Sequence, residues 1–132
     1  MEPMAQSDVS DLFRALVHVG AVEAVRQEYQ VFRTAGGDFV VISPSSRGTL
    51  SYHMTQVPAG KVEALSKVMG KEGVTTGSLM KDQRLEGVFD SEDKVAARFD
   101  ILMGLYVLSA LGRVQMTKNG RNLVFKKAAG RA

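Results

Sequence analysis

The side chains best suited to hold an anion crowd one end of this 132-residue chain. Residues 113–132 carry Arg113, Lys118, Arg121, Lys126, Lys127 and Arg131 and no acidic residue, whereas residues 1–112 hold 11 basic and 14 acidic side chains. The formal net charge of +3 therefore resolves into a body of −3 and a tail of +6. Cations grouped without counter-charge raise the local potential and favour a polyanionic partner. The competing reading is a solvated basic surface that serves solubility.

Other chemistry is sparse. Ser51 and His53 share a strand face, and their types suit a nucleophile and its base, but no orienting third group is recognisable. His18 falls on the polar side of an expected helix, beside Arg14 and Asp11. The chain has no Cys and only two His, which excludes disulfide frameworks and cysteine nucleophiles and leaves no transition-metal set. The loop Ser43-Pro-Ser-Ser-Arg-Gly48 lacks the Gly-x-x-x-x-Gly-Lys-Ser/Thr pattern of a phosphate loop, and Gly73-Val-Thr-Thr-Gly77 is too short for a nucleotide site. The expectation is a non-enzymatic protein with no catalytic residue, no metal and no cofactor.

Hydrophobic residues at 45% and charged residues at 23% fit one globular domain over 1–132. The most apolar run, Phe99 to Leu111, is interrupted by Asp100, Gly104 and Ser109 and is shorter than the roughly 20 residues of a membrane span. No basic segment precedes the first apolar residues, so a cytoplasmic protein without membrane contact is expected.

The elements that must position the cations follow from periodicity. Val9, Leu12, Phe13 and Leu16 fall at helical spacing and predict a helix over 8–19 ended by Gly20. Alternation around Tyr29 and Val31, the turn Ala35-Gly-Gly-Asp38, the run Phe39–Ile42 and the β-rich segment 49–57 predict a three-stranded antiparallel meander. Pro58 suits a helix start, and Val62, Leu65, Val68 and Met69 form the apolar stripe of a helix over 59–70, with Glu63 and Lys67 paired four apart. A short helix over 76–84 follows. Asp90-Ser-Glu-Asp93 caps a long helix over 91–111 whose second half is apolar nearly all round and must be buried, within the domain or against another chain.

Asn119-Gly120 is a strong two-residue hairpin signal. Taken as the turn, it opposes Lys118 to Arg121, Met116 to Leu123, Val114 to Phe125 and Arg113 to Lys126. Two like-charge pairs would then face each other, at a cost of a few tenths of a kcal/mol that a bound polyanion relieves.

A helix ending in Leu108-Ser-Ala-Leu-Gly-Arg-Val114 and running into this hairpin resembles the third helix and wing of the winged helix-turn-helix superfamily, over about 59–127. The resemblance implies an α+β chain: an N-terminal helix and three-stranded meander (1–57), a winged-helix-like unit of three helices and a hairpin (58–127), and a flexible tail (128–132). It places Lys94 and Arg98 on the groove-facing half of the third helix, and Lys118 and Arg121 at the wing tip on phosphate. Thr75, Thr76 and Ser78 stand at a phosphate-contacting helix start. With Arg113, Lys126 and Lys127 these cations form the expected DNA-binding set of a transcriptional regulator or nucleoid-associated protein. The alternative is a protein–protein or oligomerisation module, with a homodimer seam on the apolar helix 99–111 around Met103, Tyr106, Val107 and Leu111. A third reading is a ligand-sensing N-terminal part with a pocket between meander and first helix.

Overall fold

The computed structural model describes residues 16–24, 27–44, 52–89, 93–120 and 122–128. The chain opens with four strands, β1 (Val17–Glu23), β2 (Glu28–Arg33), β3 (Phe39–Pro44) and β4 (Tyr52–Val57), joined in sequence order into one antiparallel sheet. Helix α1 (Ala59–Val68), the short α2 (Thr76–Met80), a 3₁₀ turn (Gln83–Leu85) and the long α3 (Lys94–Ala110) follow. A two-stranded sheet of β5 (Val114–Asn119) and β6 (Asn122–Lys127) ends the described chain.

The expected architecture is overturned at its beginning. In place of an N-terminal helix and three strands, residues 17–23 add a fourth strand, and residues 8–15 of the expected helix lie outside the described residues. Three valines in Val17–Val22 favour extended backbone. Gly20 misleads as a helix terminator, because it has no positive φ. It sits where β1 approaches the end of α3, and a Cβ there would lie 3.2 Å from the Ala110 carbonyl oxygen. The strand register slips between His18 and Gly20 at the same place.

One face of the four-stranded sheet is apolar and buried. Val31 pairs with Val41, and Phe39 with Val57, all 6% exposed or less. The β2–β3 turn also starts the next element: Ala59 N–H donates to Asp38 Oδ1 at 2.8 Å, so a loop carboxylate serves a free amide at the start of α1. Pro58 stands at the N-cap with extended backbone, as its missing N–H allows.

Helix α3 fills the space behind that sheet. Ile101, Met103, Leu105, Tyr106, Val107 and Leu108 are each at most 2% exposed. The all-round apolar surface is thus covered by its own chain. The Tyr106 ring lies 4.6 Å from that of Tyr29 on the sheet and 6.5 Å from that of Phe125 on the hairpin. Gly104 lets α1 close in, since a Cβ there would run into Leu65 Cδ1. Asp93 caps the start of α3 by accepting from Val95 N–H at 2.9 Å.

At its other end, Gly112 N–H donates to the Ser109 carbonyl at 3.0 Å and Arg113 N–H to the Leu108 carbonyl at 2.9 Å. Gly112 has φ 76. This Schellman turn needs a left-handed residue and feeds the chain directly into β5.

Two predictions follow from this core. Phe125→Ala, at a fully buried position, lowers unfolding free energy by about 3–5 kcal/mol in urea titration. Burial, reinforced by Tyr29, pushes the Tyr106 phenol above the ordinary tyrosine range. A raised native value means the unfolded chain loses this proton first. Stability is therefore full below about pH 10 and declines above it, as unfolding midpoints measured from pH 8 to 11 will record.

Candidate functional site

Hairpin pairing decides where the tail cations stand. Asn119 pairs with Asn122, Lys118 with Leu123, Met116 with Phe125, Gln115 with Lys126 and Val114 with Lys127. The loop is therefore residues 120–121, with Gly120 at φ 63 in its first position, one residue later than the Asn-Gly signal suggests. Both expected like-charge pairs are absent from this register, which removes the direct repulsion between them. The apolar face survives the move, because Val114, Met116, Leu123 and Phe125 still share a side.

The segment before α2 runs antiparallel to β6 and binds it to the helices. Val74 N–H donates to the Phe125 carbonyl and Phe125 N–H to the Val74 carbonyl, both at 2.8 Å. Gly73 permits the approach, since a Cβ there would collide with Val124 Cγ1. Lys127 N–H donates to the Gly70 carbonyl at 2.7 Å. Two residues past Val74, on the side toward the hairpin turn, Thr76 Oγ1 accepts from Arg98 Nε at 3.1 Å. One short segment thus ties the exposed half of α3 to the hairpin.

Capping holds that segment in place. Thr75 Oγ1 accepts from Ser78 N–H at 3.1 Å while Ser78 Oγ accepts from Thr75 N–H at 3.0 Å, a reciprocal capping box.

The sequence-predicted cations divide into three groups. Lys94, Arg98, Lys118 and Lys127 are exposed and Lys126 is half-buried, and none of them stands in an ion pair among the described residues. Arg113 is partly neutralised, its Nη1 lying 3.1 Å from Glu63 Oε1, so Glu63 serves this partner in place of the expected Lys67. Arg121 lies outside the described residues, as does Arg131. The second ion pair, Arg84 with Asp82 at 2.7 Å, is local to the 3₁₀ turn, where the Arg84 hydrogen bonds hold the Asp82 carboxyl below the usual carboxylate range.

Candidates for other chemistry fall apart. Ser51 lies outside the described residues, and His53 is exposed on β4 opposite Ser43. His18 stands on β1, with Nε2 2.7 Å from Gln30 Oε1 and its ring 5.2 Å from that of Phe32. No cluster able to hold a metal ion occurs among the described residues. A cleft of about 730 Å³ lies between the α2–3₁₀ region and α3, floored by Leu79, Leu85, Phe89, Ala97 and Ile101, with Lys94 at its edge. It is not the sheet-side pocket that a ligand-sensing reading requires.

Sequence reasoning missed two features. The Arg98–Thr76 bond joins residues 22 apart and has no local signature. Val95 and Phe99 are 77% and 44% exposed on α3, although their types suggest core.

Because these cations stand in water and hold no core contact, Lys94→Ala, Arg98→Ala and Lys118→Ala each change unfolding free energy by less than about 1 kcal/mol, measured by urea titration. No protein-family model, no curated protein and no solved structure matches this chain.

Proposed function

We propose that this chain is a small non-enzymatic DNA-binding protein that grips the phosphate backbone through Lys94 and Arg98 on α3 and through Lys118, Lys126 and Lys127 on the hairpin, with Arg121 at its turn. The observation that carries the reading is the linkage at residues 74–76. Val74 is bonded to Phe125 and Thr76 to Arg98, so the unpaired cations of two elements are mounted on one frame. The hairpin adds no acidic side chain to oppose them. Kinship with winged helix-turn-helix proteins, with β5–β6 in the place of the wing, is part of the proposal. So are a regulatory or nucleoid-associated role and a cytoplasmic location. No helix among the described residues is long and apolar enough to cross a membrane.

A protein–protein module is the rival reading, and it needs an exposed apolar seam. Met103, Tyr106 and Val107, the centre of the seam expected on α3, are spent inside the chain.

Each phosphate contact releases condensed counterions, so four to six contacts give a log–log salt slope of about −4 to −5 in polarisation titrations on generic duplex DNA. A slope near zero contradicts the proposal. Changing Lys118 and Arg121 together to Glu lowers affinity at least about tenfold while the far-UV spectrum stays unchanged, since two contacts become repulsions. DNA binding that survives the double change, or is absent from the parent protein, favours the protein–protein module.

A further inference from the structure

We infer that Val95 and Phe99 read thymine methyl groups in the major groove of duplex DNA, so that the phosphate grip proposed above, on which this inference rests, carries a preference for thymine-rich sequence. Among the described residues the large apolar side chains left exposed are Val17, Tyr52, Met54, Val95 and Phe99. Val17, Tyr52 and Met54 belong to the four-stranded sheet, whereas Val95 and Phe99 stand one turn apart on α3. At about 100° per residue, Val95, Arg98, Phe99 and half-buried Leu102 share one face of that helix. Lys94 flanks this face, while Asp93 and Asp100 fall on the opposite side. The exposed apolar pair is therefore bordered by cations and turned away from the acids, which matches a surface of phosphates and not an acidic protein.

Geometry agrees with that occupant. The deeply buried stretch of α3 begins at Ile101, leaving its first two turns outside the core. Two turns measure about 11 Å, and the major groove, about 12 Å wide, admits a helix end-on. The thymine C5-methyl is the apolar group displayed in that groove, and apolar side chains contact it. The same face offers no amide side chain for hydrogen-bonded readout, and Arg98 already donates through Nε to Thr76. A second copy of the chain is a poorer occupant, because two side chains bury at most a few hundred Å². A stable dimer buries about 800 Å² per partner.

The test compares one thymine-rich duplex with the same duplex carrying uracil, which removes the methyl groups and keeps charge and pairing. Polarisation titration of the parent protein is expected to show binding about fourfold weaker per contacted methyl on the uracil duplex. The double variant Val95→Ala, Phe99→Ala is expected to bind both duplexes alike. Equal binding by the parent protein overturns the inference and leaves the phosphate grip standing; binding to neither duplex overturns the grip itself. Discrimination that persists in the double variant also overturns the inference. So does a parent dimer, seen by light scattering, that the same substitutions dissociate, since the apolar pair then belongs to a second copy.

Discussion

Tyr106 packs against Tyr29 of the four-stranded sheet on one side and Phe125 of the hairpin on the other, and through it α3 becomes the common wall of two sheets. Each such ring pair adds about 1 kcal/mol beyond the area it buries. Rings without mobile polar stems also fix relative position at low entropic cost. Removing water from six consecutive-turn side chains of α3 demands cover from every direction. The β-sheet supplies one side, α1 another across Gly104, and β5–β6 the rest. A two-stranded hairpin alone is marginally stable, so its dependence on Phe125 and on the Val74 bond is a requirement of the fold.

Rigid placement of charge is the consequence. The cations of α3 and of the hairpin belong to elements separated by the whole buried half of the helix, yet residues 74–76 hold both. Long basic side chains contribute little to folding from such positions. Their grouping on one frame is explained by what they attract and not by what they stabilise.

Much of this was legible in the sequence, and the failures share a physical cause. Helices at 59–68 and 94–110 follow from apolar stripes and from Pro58 and Asp93, signals that act within one or two turns. The strand pairing of 28–33 with 39–44 follows from alternation around a Gly-rich turn. Gly20 was misread because a glycine that admits a neighbouring backbone and a glycine that ends a helix look alike in one dimension. The hairpin turn moved by one residue because the Asn-Gly preference is local, whereas the register also answers to charges facing across strands and to Phe125 seated between Val74 and Tyr106. Arg113 was counted among the free cations because Glu63 is 50 residues away. Long-range contacts leave no periodicity to read.

Amide shifts of the isotope-labelled protein, followed while duplex DNA is added at low salt, test the central claim most directly. The account predicts shifts concentrated at residues 94–99, at 74–78 and along 115–127, with the strands at 28–33, 39–44 and 52–57 unmoved. Shifts centred on the four-stranded sheet, or no shifts at any residue, would contradict it.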